Sequence, residues 1–363
     1  MDYTAYMDAE SLDDPTSKTI FHSLNCFKVD NNERNDQFKV DNFESDYQFK
    51  NNEFPLLWLP LLAKEHVLCI MNPFELVNLS MTSSEARKTV KEFTRIKSRI
   101  KSRFQVNLGL IGEPSICIRG NSGKTWGYSW SSDESRRSTD LPSHASIHKL
   151  SETPMDDCMR WYESIKRVLW CQIDEACIAQ QIPYVTNWLI TQQDSIKDVF
   201  IEGSWYNLKY FLDHVRVSEK LTLDMTDDTN SELKIPEGLT RLQIYSSKFL
   251  DCQQLLKLKV RNIILDYSIL SNKEINVFLA RWMLMKTNLD LETFEINVWG
   301  ADPMNVIMDL LDTTIADLNS IAEMRKKFPG SAMRNGFNIR RLDGKVATVC
   351  LNLSLSRLLM MTH

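Results

Sequence analysis

Residues 54–80 read FPLLWLPLLAKEHVLCIMNPFELVNLS, and this stretch decides how the chain is organised. The Leu59-Pro60 pair predicts extended backbone before a first helix, because proline restricts the residue before it and fits the first helical turn. Asn72-Pro73 ends that helix and starts a second one, with proline at its favoured first position. The segment Thr82-Ser83-Ser84 can then cap a third helix. The sequence therefore predicts three short helices between residues 54 and 103.

These helices have the character of a docking module. Three helices in about forty residues have too small a core to be very stable alone. Leu62, Val67 and Ile70 supply apolar side chains to the first helix, and Leu76 and Leu79 lie three apart on one face of the second. Many such side chains would stay exposed unless a partner covered them.

The same segment resembles the F-box, in the version of the expanded nematode F-box families that reads F-P-L-L-x-L-P and then M-x-P-x-E-L-[IV]-x-L-S. The matching residues are Phe54-Pro55-Leu56-Leu57, Leu59-Pro60, Met71, Pro73, Glu75-Leu76-Val77 and Leu79-Ser80. The family's basic Ser-Lys-Arg after the second helix reads Ser83-Ser84-Glu85 here. The resemblance implies docking on a Skp-type linker protein, which bridges to a cullin scaffold. The docking residues that it implies are Leu59, Pro60, Val67, Ile70, Met71, Pro73, Leu76 and Leu79.

The bulk properties predict an intracellular globular protein with two units. At 363 residues the chain exceeds the usual size of one core, and its net charge of −5 is too nearly balanced to suggest nucleic acid or an anionic membrane as a partner. Residues 1–20 contain no apolar run, and Phe54–Ala63 is too short to span a bilayer. The eight scattered cysteines fit a reducing compartment. We therefore expect a cytoplasmic or nuclear protein without a membrane partner.

The segments beside the helices are of three kinds. Residues 1–53 are polar and repeat Phe27–Asn31 at Phe38–Asn42, with too few apolar residues to fold, so we interpret them as a flexible extension. Alternating apolar residues between 104 and 130, interrupted by two glycine-rich turns, predict three strands joined by hairpins. The polar, serine-rich residues 131–153 complete this region as a loop or linker.

The region 154–363 carries a repeating pattern. After a helix from Met155 to Trp170, strand-like triplets recur at Ala176-Cys177-Ile178, Val199-Phe200-Ile201, Leu221-Thr222-Leu223, Leu242-Gln243-Ile244, Ile263-Ile264-Leu265 and Phe294-Glu295-Ile296. The first five triplets are 21 to 23 residues apart, with segments of helical spacing between them. This period predicts an irregular leucine-rich-repeat-like α/β domain. An ordinary α/β domain with evenly spaced strands is the alternative.

The same region resembles an F-box-associated domain of the second type. The resemblance runs from Cys171 to Val349 and includes the block Asn262–Leu265, Leu270–Asn276, Phe278-Leu279 and Trp282. In the families concerned this domain follows the F-box, and the resemblance implies that it captures a protein target. Overall we expect an α/β fold (α+β in total): a three-helix F-box, strand hairpins and the repeat-like recognition domain.

If the outer residues of each triplet face the core, the intervening and following residues face the other surface of the sheet. That row consists of Phe200, Glu202, Thr222, Asp224, Gln243, Tyr245, Ile264, Asp266, Glu295 and Asn297. It mixes aromatic residues with acids, as a protein-binding surface does. The acidic excess favours a basic patch on the target.

No residue pattern supports catalysis, a cofactor or a metal. His144 and His148 have metal-like spacing but lack a matched partner in a serine-rich segment. The acidic pairs Asp156-Asp157 and Asp227-Asp228 lack a partner histidine or lysine at informative spacing. A basic run from Lys88 to Arg103 could contact nucleic acid or form a solvated helix face, and we favour the solvated face because no aromatic residue interleaves it.

Two functions remain. The first is a non-catalytic substrate adaptor of a Skp-cullin-F-box ubiquitin ligase, which recruits a protein target for ubiquitination and degradation. The second is a neutralising or antidote protein that binds a specific toxic protein, with or without recruitment of a ligase.

Overall fold

The computed structural model describes residues 56–98, 104–121, 123–133, 146–227 and 233–363. The expected extension 1–53, the Phe54-Pro55 pair, the end of the basic run at 99–103 and His144 lie outside the described residues. The helices are α1 (Leu61–Ile70), α2 (Pro73–Thr82), α3 (Ser84–Ser98), α4 (Pro154–Leu169), α5 (Ile182–Gln192), α6 (Trp205–His214), α7 (Cys252–Lys257), α8 (Asn272–Met283), α9 (Pro303–Ile307) and α10 (Leu318–Lys327). Short 3-10 turns lie at Leu56–Trp58 and Ser247–Phe249.

Fourteen strands of the described residues form one mixed sheet. They are β1 (Phe104–Leu110), β2 (Ser115–Gly120), β3 (Thr125–Ser131), β4 (Ser146–Leu150), β5 (Ile173–Ile178), β6 (Ser195–Gly203), β7 (Arg216–Met225), β8 (Arg241–Ile244), β9 (Asn262–Leu265), β10 (Thr293–Asn297), β11 (Thr313–Ile315), β12 (Met333–Arg340), β13 (Val346–Asn352) and β14 (Arg357–Thr362). Their order is β11-β12-β13-β14-β10-β9-β8-β7-β6-β5-β1-β2-β3-β4. The α/β class expected from the sequence is confirmed.

The predicted hairpins are present, and the predicted linker is partly wrong. Strands β1, β2 and β3 pair antiparallel in sequence order. Within the expected linker, Ser146–Leu150 forms β4, which pairs parallel to β3. This strand was not expected because Ser146–Leu150 lacks the apolar alternation of a core strand, which fits its position only half-buried at the edge of the sheet. Strand β1 also pairs parallel to β5, so the hairpins extend the main sheet instead of forming a separate unit.

The predicted triplets all lie in parallel strands, and they lie in register. Strands β5 to β10 are neighbours in the order in which they occur along the chain. The outer residues of the triplets are buried on the face that packs against the helices, where the rings of Phe278 in α8 and Phe294 in β10 lie 4.6 Å apart. A sequential parallel order suits a repeat, but the leucine-rich-repeat-like interpretation itself stays a prediction.

Local signals define the first three helices as the sequence predicts. The Asn72 side chain accepts a hydrogen bond from the amide of Glu75, the Glu75 carboxylate accepts one from the amide of Asn72, and Pro73 occupies the first helical position of α2. Ser83 Oγ accepts a hydrogen bond from the Ala86 amide at 3.0 Å at the start of α3. These caps satisfy amides that a helix leaves without internal partners.

Helices α1 to α3 share one hydrophobic core with the sheet. The ring of Phe74 in α2 lies 4.6 Å from the ring of Tyr128 in β3, and Tyr128 lies 5.5 Å from Trp161 in α4. The hydroxyl of Thr94 in α3 donates a hydrogen bond of 2.6 Å to the carbonyl of Val168 in α4. The small core that limits three isolated helices is therefore completed by the rest of the chain.

The C-terminal part of the sheet has a helix on its other face. Strands β10, β14, β13, β12 and β11 pair antiparallel in that order. Met324 and Phe328 of α10 pack there against Cys350 and Leu359. Leu359 is the register partner of Glu295, so α10 flanks the row of residues expected to bind a target.

None of the described helices combines the length and the apolar character that crossing a bilayer requires.

The shared core predicts a specific effect of Phe74→Ala. Removing the ring should lower the free energy of unfolding by about 3–4 kcal/mol and should let α1 to α3 open locally without the sheet. Amide hydrogen exchange measured by mass spectrometry should then accelerate in α1 to α3 more than in β7 to β9. The control is Phe278→Ala, which removes a ring at the same 4.6 Å spacing from its aromatic neighbour on β10, a strand that β5 to β9 separate from β1 in the sheet. If hydrogen exchange in α1 to α3 relative to β7 to β9 were the same in Phe74→Ala as in wild type, Phe74 would not hold these helices on the sheet.

Candidate functional site

An apolar surface is exposed along α1. Leu61, Leu62 and Ile70 are 72%, 69% and 84% exposed, and we call these three residues the α1 stripe. Residues 62, 66 and 69–70 follow helical spacing and are all exposed, so they share one side of the helix, whereas Leu61 is exposed at the first helical residue, off that side. Trp58, just before α1, is also almost fully exposed. Large apolar groups exposed together on one helix are a mark of a protein-binding surface.

The docking residues implied by the resemblance divide into three groups by exposure. Pro60 and Ile70 are exposed, and Leu59, Val67, Met71 and Leu79 are partly buried. Pro73 is buried, and Leu76 is 0% exposed within the shared core. The expectation that Leu76 and Pro73 face a partner is therefore not met in this structure, because α2 turns them toward the sheet.

The row of residues expected to bind a target lies on one face of the parallel strands, and we call it the carboxylate face. Phe200 pairs with Thr222, Thr222 with Gln243, Gln243 with Ile264 and Ile264 with Glu295. Glu202 pairs with Asp224 in the next row, which continues through Tyr245, Asp266 and Asn297. Because side chains alternate across a strand, register partners share a face. The predicted row is thus assembled as one surface.

The electrostatics of this face are dominated by desolvated carboxylates. Burial raises the pKa of Asp224, and the neighbouring charges of Glu202 and Asp266 raise it further. Burial also raises the pKa of Glu295, while Arg357 and Arg241 act in the opposite direction. A positive charge brought to this face would stabilise carboxylates that the protein leaves incompletely compensated.

Two predicted contact residues are used inside the protein. Asp266 is buried and forms an ion pair and hydrogen bond with Arg357 of β14. The Asn297 carboxamide accepts a hydrogen bond from the Ser268 amide at 2.6 Å and donates one to its carbonyl at 3.1 Å. Phe200, Thr222 and Ile264 are also buried. The accessible part of the face is therefore narrower than the sequence predicts, and it is centred on Glu202, Asp224 and Tyr245.

Exposed aromatic and aliphatic side chains border the carboxylate face where the strands end. They are Tyr206 after β6, Tyr267 and Ile269 after β9, and Trp299 after β10, and we call them the rim. The Trp299 indole donates a hydrogen bond to the Ser268 carbonyl at 3.3 Å, which fixes its orientation. The rim was not predicted from the sequence, although each of its residues follows the last residue of a triplet within five positions.

The described residues contain no cluster of histidine, cysteine or acidic side chains able to hold a metal ion. His148 lies on β4, where its Nδ1 is 3.1 Å from the hydroxyl of Ser129. Burial raises the pKa of the Cys171 thiol to about 12, which disfavours the thiolate that a nucleophile needs.

The ion pair between Asp266 and Arg357 predicts a pH-dependent loss of stability. Replacing Arg357 with leucine leaves a buried carboxylate without its cation, which should cost about 3 kcal/mol at pH 7. The pKa of Asp266 is already raised by burial and should rise further, so protonation relieves the penalty as pH falls through the folded-state pKa. Urea unfolding should therefore show a smaller deficit at pH 5 than at pH 7. In Asp266→Asn/Glu295→Gln/Arg357→Leu, which also neutralises the second carboxyl whose pKa Arg357 lowers, the deficit should not depend on pH in this window. A pH-independent deficit in Arg357→Leu would contradict the assignment.

Two family models match the chain. The F-box domain matches residues 56–97, which cover α1, α2 and nearly all of α3. The F-box associated family matches residues 231–296, which include β8, β9 and most of β10 and, on the carboxylate face, Gln243, Tyr245, Ile264, Asp266 and Glu295. No curated protein and no solved structure matches the chain. The nematode origin implied by the sequence resemblance stays an expectation. The protein therefore carries an F-box domain followed by an F-box-associated region.

Proposed function

We propose that this protein is a non-catalytic substrate-recognition adaptor of a Skp-cullin-F-box ubiquitin ligase. F-box domains bind Skp-type linkers and through them cullin scaffolds, and F-box and F-box-associated domains are typical of non-catalytic adaptors. The observation that carries the proposal is the α1 stripe, because it exposes three large apolar side chains within the segment that matches the F-box. Docking would remove them from water and contribute several kcal/mol.

The shared core supports a positioning mechanism. The Phe74–Tyr128 contact joins the F-box helices directly to the sheet, and the Thr94–Val168 hydrogen bond joins them to α4. A target held on the sheet would then keep a defined direction relative to the ligase. The adaptor would act by raising the effective concentration of target lysines near the ubiquitin-charged partner.

The proposed target site is the accessible part of the carboxylate face together with the rim. Tyr206, Tyr267 and Trp299 offer the aromatic anchors that dominate many protein interfaces. Glu202 and Asp224 add negative charge beside them, so the favoured partner is a basic segment with apolar flanks. A leucine-rich-repeat-like curvature of the sheet and a cytoplasmic or nuclear location belong to the same proposal. Among the described residues, no contact favours the neutralising function over the adaptor function.

The linker test uses exposed residues so that folding is not disturbed. Leu61→Ala/Leu62→Ala/Ile70→Ala should reduce co-purification of a Skp-type linker by about a hundredfold, because each lost side chain would otherwise be buried on binding. The matched control is Leu310→Ala/Ile315→Ala/Leu318→Ala, which removes three apolar side chains that are at least as exposed, near the other end of the sheet. Equal recovery of the linker with both variants would contradict the adaptor proposal. So would the absence of linker from a preparation of folded wild type.

The target test reverses charge on the carboxylate face. Proteins captured by wild type and by Glu202→Lys/Asp224→Lys would be compared by quantitative mass spectrometry, with the linker as an internal standard. A genuine target should fall at least tenfold with the variant while the linker is unchanged, because like charges then oppose a basic partner. The control, Glu152→Lys/Asp194→Lys, makes the same change at exposed positions away from this face. Capture that is insensitive to the face variant would place the target elsewhere.

A further inference from the structure

A basic groove lies between α3 and the end of α4. Its cavity of about 460 Å³ is lined by Ser84, Arg87, Lys88, Lys91, Glu92, Arg95, Arg167 and Trp170, which include five cations and one acid. A second cavity of about 760 Å³ adjoins it through the shared residues Arg167 and Trp170. The carboxylates of that second cavity are engaged: Asp174 pairs with Lys197 at 2.6 Å, and Glu163 accepts from the Trp188 indole at 3.0 Å. The groove between the helices therefore keeps an excess of positive charge.

Trp170 gives this groove an apolar wall. It ends α4 in a left-handed conformation, with φ of 53°, and its side chain is 57% exposed. This residue is far in sequence from the basic run, so the run and an aromatic surface come together only in the fold. Lys88 and Lys91 form no ion pair with any described residue. A cationic groove with one exposed tryptophan fits an acidic peptide that also carries aromatic side chains.

The N-terminal extension has this chemistry. Residues 1–53 contain twelve acidic and five basic residues, whereas the remainder has 36 acidic and 38 basic residues. The whole negative charge of the chain thus resides in the extension. Within it, Asp41–Tyr47 reads DNFESDY, with three acids, two aromatic residues and no base.

The chain connects this segment to the groove. Leu56–Trp58 packs against α3, the helix that carries Lys88 and Lys91. Eight residues separate Tyr47 from Leu56 and can span about 26 Å when extended. A segment on so short a tether has an effective concentration of order millimolar, so even weak contacts would keep it bound.

We propose that Asp41–Tyr47 docks in the groove between α3 and α4, with its carboxylates beside Lys88 and Lys91 and an aromatic ring on Trp170. The segment then covers a charged surface next to the F-box, and an acidic region of any partner must displace it. This docking does not depend on the adaptor proposal.

Zero-length cross-linking of the full chain tests the contact. A carbodiimide joins a carboxylate carbon to a lysine nitrogen with loss of water, and so reports only groups in contact. We expect links from Lys88 or Lys91 to Asp41, Glu44 or Asp46 by mass spectrometry, at least fivefold more abundant than links to the exposed Lys273 and Lys326. The links should fade in 1 M salt, where charges are screened beyond about 3 Å. A mixture of unlabelled and ¹⁵N-labelled chains separates links within one molecule from links between two.

A charge-matched pair of variants provides the second readout. Asp41→Asn/Glu44→Gln/Asp46→Asn should raise the rate of amine labelling at Lys88 and Lys91 about threefold or more, because the covering segment is released. Asp8→Asn/Asp13→Asn/Asp14→Asn removes the same charge from the distant part of the extension and should leave these rates unchanged. Equal effects of both variants would overturn the assignment to Asp41–Tyr47. Cross-links found only between two molecules would assign the groove to the extension of a second copy. Protection of Lys88 and Lys91 from labelling that occurs only in preparations retaining nucleic acid would assign the groove to that ligand. Either result would overturn the proposal.

Discussion

The contact between Phe74, Tyr128 and Trp161 joins parts of the chain that would otherwise be separate. Phe74 comes from the F-box helices, Tyr128 from the hairpins and Trp161 from α4, and their rings lie 4.6 and 5.5 Å apart. The ammonium group of Lys149, on β4, lies 3.7 Å from the Trp161 ring centroid, which adds a cation–π contact from the last strand of the sheet. Four elements thus depend on one buried aromatic cluster, and burial there raises the pKa of the Tyr128 hydroxyl to about 12.

The parallel register imposes the second constraint. Six strands aligned by their apolar triplets must also align their alternate residues, so the acids at positions 202, 224, 266 and 295 are brought together by the same geometry that builds the core. Such a concentration of negative charge opposes folding unless a cation offsets it. Arg357 supplies that cation from β14, which pairs antiparallel with β10. The C-terminal hairpins therefore lengthen the sheet and also supply the cation that offsets the negative charge of its parallel strands.

Features that are encoded locally could be predicted from the sequence. The capping box at Asn72, the Ser83 cap and the strands at each triplet depend on residues within a few positions of one another. The pairing of β1 with β5 and the ion pair between Asp266 and Arg357, 91 residues apart, depend on the whole topology. For the same reason Trp170 could not be matched to the basic run, and the rim could not be recognised until the strand ends were placed beside each other.

The burial of Leu76 changes how an F-box motif should be understood in this chain. An F-box motif need not place all its residues in contact with the partner, since some can attach its helices to the rest of the chain. Here α2 turns Phe74, Leu76 and Val77 inward, while α1 leaves Leu61, Leu62 and Ile70 exposed. Ser83, which matches the family pattern, caps α3, and the departure from that pattern at Glu85 places an acid in the first turn of α3, where negative charge is favourable. A residue that differs from the motif thus stabilises α3, the helix that carries the basic groove.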